Sequence, residues 1–127
     1  MSVSAGFTEK LVIGGASITQ ATTITAGKRI QFDDTVPIAA DQLFAFALDV
    51  SQVKAVFILS DQDITLETNS SGAPTNTLAL KANVPYIWYT NKPSALVFTG
   101  DITALYITNA SAAIANLQME ILVDPTV

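Results

Sequence analysis

Three acidic residues stand close together in the middle of the chain, where Asp61, Asp63 and Glu67 form a D-x-D-x-x-x-E pattern. Hard oxygen ligands at such a spacing could hold Ca²⁺. The pattern lacks the glycine and the further acidic positions of a calcium loop. The simpler reading is therefore favoured, in which Asp61 and Asp63 flank a turn and Glu67 lies on a solvated strand face. Asp33-Asp34 is read in the same way, as a turn pair rather than a metal or acid/base pair. Glycoside hydrolysis needs two carboxylates facing one another across a cleft, and no spacing in the sequence shows that pairing. The chain has no His and no Cys. That removes the commonest general base, the thiolate nucleophile, the usual zinc ligands and any Ser-His-Asp triad. The expectation is no catalysis, no cofactor and no metal.

A second constellation is aromatic. Tyr86, Trp88 and Tyr89 could form a platform on which a sugar stacks. Strand alternation puts Tyr86 and Trp88 on one face and Ile87 with Tyr89 on the other, so at least one pair belongs to a core or a subunit interface. Gly14-Gly15 has no phosphate-loop context and reads as a turn.

The elements that must position these residues are strands. Ile64, Leu66 and Thr68 alternate with Thr65 and Glu67, the period of a strand buried on one face. Asn69 to Asn76 (NSSGAPTN) is rich in turn formers. Leu78 and Leu80 resume the alternation, and Tyr86 to Tyr89 follows the Val84-Pro85 step. Before this stretch, Met1 to Gly6 reads as a loose or partner-bound arm and Phe7 to Ile13 as a possible first strand. Thr-rich Ser17 to Thr25 is expected to turn at Gly27 and to return as a hairpin over Lys28 to Phe32, ended by Asp33-Asp34. Asp41 to Leu48 fits a helical stripe capped by Asp41 or a strand, and strand is favoured. Asp49 to Gln52 is a single helical turn or tight loop, and Val53 to Leu59 a central strand. After the Thr90 to Ser94 loop, Ala95 to Phe98 reads as a short strand. Ile102 to Thr108 and Ala115 to Val123 read as a last hairpin, which Pro125 ends. Asp63 to Ser71 echoes Asp101 to Ser111, suggesting two equivalent hairpins, one per sheet.

About nine strands with turn signals every eight to twelve residues are the cue for a sandwich or jelly roll. The expectation is an all-β, single-domain antiparallel β-sandwich, jelly-roll-like, of about eight or nine strands. Residues 1–15 form an N-terminal arm and residues 16–127 the sandwich. The 127-residue length fits one domain that buries a core without staples. Half the residues are hydrophobic and 13% are charged, about half the share typical of a soluble domain. Either Thr, Ser, Asn and Gln coat the surface, or partner subunits cover part of it. The net charge of −5 and the scattered basic residues argue against nucleic acid. No charged n-region with a long apolar run follows Met1, and no apolar stretch approaches membrane-spanning length. The expectation is a soluble chain with no membrane partner.

Asp49-Val50-Ser51-Gln52-Val53, the Thr68-Asn69-Ser70-Ser71-Gly72-Ala73-Pro74 loop, the Val84-Pro85-Tyr86-Ile87-Trp88 turn and the closing Leu105 to Val123 resemble small virion proteins of tailed bacteriophages. The resemblance runs over residues 49–123, rests on turn signatures, and leaves the first third unmatched. It implies a jelly-roll capsid cement or decoration protein on the virion surface, made in the host cytoplasm. Its implied partners are the major capsid protein and itself, as a homodimer or homotrimer. Residues 1–15 and exposed sheet edges are expected to meet the shell or sibling copies, with Phe7, Lys10, Tyr86, Trp88 and Tyr89 as candidate interface residues. The alternative is a carbohydrate- or receptor-binding module of a phage fibre or spike, meeting a cell-surface glycan. It is distinguished by the exposure of Trp88 and Tyr89. A third class, a hydrolase acting through Asp33 or Asp61, would need an activity to exist.

Overall fold

β-Branched and aromatic residues alternating with Thr, Ser, Gln and Ala make strands that bury one face, and ten such strands form in the described residues of the computed structural model, 2–125. They are β1 (Val3–Ile13), β2 (Ala16–Ala26), β3 (Lys28–Val36), β4 (Ala39–Phe44), β5 (Val53–Ser60), β6 (Ile64–Thr68), β7 (Thr77–Leu80), β8 (Tyr86–Tyr89), β9 (Leu105–Asn109) and β10 (Ala115–Val123). Eight of them make two four-stranded antiparallel sheets, ordered β3-β10-β5-β8 and β4-β9-β6-β7, while β1 and β2 pair only with each other.

The pairing is nested. β3 pairs with β10, β4 with β9, β5 with β8, and β6 with β7. A long double strand folded back on itself in this way, alternate pairs going to opposite sheets, is a jelly roll. The expected all-β sandwich is therefore the fold, and its topology is the expected one. Between the sheets lies one core. Val56 and Ile58 of β5, Leu117, Met119 and Ile121 of β10, and Leu66 and Ile107 of the second sheet are all buried. Phe32 of β3 stands edge-on to Phe44 and Phe46, 6.0 Å between centroids in each pair, and ties the sheets at one margin. Among the described residues no buried side-chain nitrogen or oxygen lacks a partner.

Several local expectations change. Lys28 to Phe32 does not return along Ser17 to Thr25, because β3 pairs with β10 and β2 with β1. Asp33-Asp34 does not end the strand, which runs on to Val36. Ile102 to Thr108 and Ala115 to Val123 are not a hairpin, since β9 lies in one sheet and β10 in the other. The two echoing segments do not stand one per sheet, because β6 and β9 are neighbours in the same sheet. Their shared Asn has a local reason. Asn69, just past β6, binds Thr75 in its own loop and Asp101 and Thr103 in the segment before β9, while Asn109, the last residue of β9, binds Ser111 and Ala113 in the loop that follows. Ala95 to Phe98 is not a strand: the Val97 amide donates to the Tyr86 hydroxyl at 2.9 Å, and Phe98 plugs the core. The strand reading of Asp41 to Leu48 holds as far as Phe44. Asp41 there takes φ of 50° at a register shift, the mark of a bulge. Asp49 to Gln52 forms the expected short turn, its Asp49 carboxylate accepting from the Ser51 amide at 3.0 Å.

Candidate functional site

The first strand begins at Val3, not Phe7, and pairs with β2 through eleven partners from Val3↔Ala26 to Ile13↔Ala16. The two-residue turn between them has φ of +58° at Gly14 and not at Gly15. Positive φ at the first turn residue suits the right-handed twist of a two-residue hairpin, and glycine adopts it without strain.

In this register one face of the hairpin carries Val3, Ala5, Phe7, Glu9, Leu11 and Ile13 from β1, with Ala16, Ile18, Gln20, Thr22, Ile24 and Ala26 from β2. The opposite face carries Ser4, Thr8, Lys10, Ser17, Thr19, Thr23 and Thr25, with Val12 its one large apolar side chain. The first side is thus mainly apolar at the base and again at the tip, with Thr22 and the Glu9–Gln20 pair polar between them.

Only half of that side is covered. At the base, Val3, Ala5, Phe7, Ile24 and Ala26 pack on the outer face of the first sheet, against Ala55 of β5, Leu122 of β10, and Ile87 and Tyr89 of β8. The Phe7 and Tyr89 rings lie 4.8 Å apart. The last contact outward is polar: the Tyr89 hydroxyl donates to Glu9, and Lys92 Nζ stands 3.4 Å from the other Glu9 oxygen and 5.1 Å above the Tyr89 ring. The Tyr89 hydrogen bond first, and Lys92 after it, hold the Glu9 carboxyl below its usual range, while the same bond to Glu9 pushes the Tyr89 hydroxyl up.

Beyond Glu9 the ribbon leaves the body. Residues 8–21 are all exposed, with Leu11 at 54%, Ile13 at 69% and Ile18 at 71%. At ~3.4 Å per residue, the four steps from Glu9 to Ile13 reach about 14 Å outward. An isolated two-stranded ribbon is marginal in water, and covering one aliphatic side chain contributes about 1.5–3 kcal/mol. The tip forgoes that for three of them.

Beside the base lies a cleft of about 400 Å³, with Val3, Ala5 and Phe7 above it and Phe57, Ile87 and Leu122 below. Its edge is marked by Arg29 and Glu120, joined through two 2.6 Å hydrogen bonds. Arg29 keeps the Glu120 carboxyl low, and the pair is charge-neutral.

The expected site residues separate across this arrangement. Phe7 and Tyr89 meet at the base of the hairpin, and Lys10 is exposed on its polar face. Tyr86 and Trp88 turn the other way, toward the inter-sheet core, and the Trp88 indole donates to the Ser94 carbonyl at 2.9 Å. Burial raises the Tyr86 hydroxyl. The three aromatics therefore share no stacking platform. The carboxylates are occupied locally. Asp61 accepts from the Asn116 amide and side chain, both at 2.7 Å, which lowers its pKa. Asp63 accepts from the Ala82 amide at 2.8 Å and pairs with Lys81. Among the described residues no three acidic side chains converge as metal ligands. Sequence reasoning placed Glu9, Leu11 and Ile13 within the expected contact range 1–15 without singling them out, and missed Lys92 and Ile18. The even spacing of Phe7, Leu11 and Ile13 was the available signal, masked by Val12 between the last two.

Comparison with protein-family models, with curated proteins and with solved structures finds no match to this chain.

Proposed function

We propose that this chain is a non-catalytic virion structural protein that decorates the outside of an assembled tailed-phage head and stabilises it, its partners being the major capsid protein and further copies of itself. The observation that carries this reading is the hairpin: a ribbon whose apolar face continues past the body that covers its base. Such a face is a contact surface awaiting a partner. The jelly roll adds support by analogy of fold alone, since capsid and lectin domains share it. A second apolar patch lies at one end of the sandwich. Val36 pairs with Ala115, so exposed Ile38 and Ile114 leave the first sheet side by side, and exposed Val84 lies in the β7–β8 loop at that same end. Weak contacts of this kind become strong when several copies engage one lattice. A protein that binds only the mature shell stabilises it by mass action. The aromatic rings on which a glycan would stack are engaged within the chain, and the assembly reading is preferred for that reason.

The test is co-sedimentation of the purified protein with shells of the parent particle stripped of it. Saturable pelleting at a fixed ratio to coat subunits, with a raised shell melting temperature, is expected. Removing residues 1–8 should weaken that binding and leave the eight-stranded sandwich folded, since none of the nested pairs uses β1. Equal binding by the truncated protein would reject a role for the hairpin in the assembly, and no pelleting of the intact protein would reject the reading itself.

A further inference from the structure

At its base, the inward face of the hairpin rests on the outer face of the first sheet, and that contact closes within the chain. Past Glu9 the same face continues through Leu11, Ile13 and Ile18 with no sheet beneath it. On the body, the cleft beside β1 leaves Phe57 and Ile87 only partly covered. Each copy thus carries an apolar face without a floor and an apolar floor without a full cover. We propose that the hairpin tip of one copy seats over the Phe57–Ile87 floor of a second copy, alongside the free edge of that copy's β1.

Three observations favour a second copy as the occupant. The first is charge. No charged residue occurs between Lys10 and Lys28, and the charges near the cleft are paired, Arg29 with Glu120 and Lys92 with Glu9. In a chain of net charge −5, these are the surfaces on which two copies repel each other least. A lipid surface or a polyanion would instead call for a basic tip, and Lys10 is the only cation there.

The second is backbone. Among the described residues β1 pairs with β2 along one edge only, so its other edge presents unpaired amides and carbonyls beside the cleft. A strand laid against that edge with the same parity directs its own apolar face onto the same floor. The β1 of a second copy has that length and that alternation. The third is precedent within the molecule. The contact proposed between copies repeats, with Leu11, Ile13 and Ile18, the contact that Val3, Ala5 and Phe7 already make. A two-fold arrangement satisfies both tips, and a head-to-tail arrangement satisfies every tip where its rotation closes into a ring.

The inference rests on reading the chain as an assembly module and names the partner of its hairpin. Its test uses the free protein, so shell binding can fail while this stands, and the reverse. The chain contains no cysteine, which gives a clean background for cross-linking. Leu11→Cys and Phe57→Cys proteins, carrying tags of different size, are mixed and oxidised. A reducible heterodimer joining the two is expected, together with a sedimentation mass for the wild type of at least twice 13.4 kDa. If Phe57→Cys loses its strand signal by circular dichroism, Ala5→Cys, which lines the same cleft, takes its place. The triple variant Leu11→Thr, Ile13→Thr, Ile18→Thr is expected to sediment as a monomer with an unchanged spectrum. A monomeric wild type, no heterodimer from two folded partners, or an oligomer that survives the threonine tip would each overturn the proposal. So would wild-type protein that stays monomeric but pellets with phosphatidylglycerol vesicles, which would assign the tip to lipid.

Discussion

The Tyr89 hydroxyl donates to the Glu9 carboxylate across 80 positions of sequence, and this bond marks where the N-terminal hairpin stops touching the body. Inside it, Phe7 and its neighbours are packed; outside it, every residue to the turn is exposed. The pair is therefore the outermost latch of the docked ribbon.

The latch has a pH window. Glu9 is depressed from its ordinary 4.5, so the stability it contributes is present above that value and is lost as pH falls through its lower folded value. Tyr89 is raised from its ordinary 10.0, so its contribution is present below 10.0 and is lost as pH rises through the higher folded value. Amide exchange in β1 should accelerate at both extremes while β10 stays protected. Glu9→Gln should abolish the acid-side acceleration; an unchanged acid profile would show that the latch does not hold the ribbon.

Asn109 is 1% exposed, and its amide donates at 2.9 Å to both the Val36 and the Ala113 carbonyls. Asn109→Ala leaves those acceptors without that donor and should lower unfolding free energy by about 2–3 kcal/mol. Urea denaturation reads this directly. A loss under half a kilocalorie would mean the loop repacks around water.

Leu117 of β10 is fully buried between the sheets. Leu117→Ala should cost about 3 kcal/mol through lost transfer energy and the cavity left behind. The same urea experiment measures it.

Trp88 faces the core and its indole nitrogen is bonded to Ser94. Its fluorescence should be blue-shifted, poorly quenched by iodide, and unresponsive to added sugars. A red-shifted, quenchable emission that moves with a glycan would restore the aromatic platform and the carbohydrate-binding module with it.

How much of this was legible in the sequence follows from what alternation encodes. Ile64, Leu66 and Thr68 announce which side of a strand is buried, and they are buried. Alternation does not name the neighbouring strand. Ala115 to Val123 has the pattern of a hairpin partner for the segment before it, yet it crosses to the other sheet and lies between β3 and β5. Ala95 to Phe98 has strand composition but gives its Val97 amide to a tyrosine hydroxyl, a bond no propensity foretells. In the hairpin, Ser4, Ala5 and Gly6 are weak strand formers and hid the start of β1. Their pairing with Thr23, Ile24 and Thr25 overrides that weakness. The separation of Trp88 from Tyr89 was readable from parity; what covers each of them was not.

The nested pairing also sets an order in time. Lys28 pairs with Val123, 95 positions on (123 − 28), so the first sheet cannot close until nearly the whole chain has left the ribosome. Contacts of such separation form slowly, because loop entropy is spent before any of them is made. The β1–β2 ribbon is local, and hairpins of its kind form within about 1–10 μs. Each nascent chain therefore has its ribbon sequence complete, able to pair only marginally on its own, well before its own body exists to receive the base. On the self-contact proposed above, the neighbour a ribbon would meet on a polysome is another nascent copy, with a ribbon of its own and no finished floor to receive one.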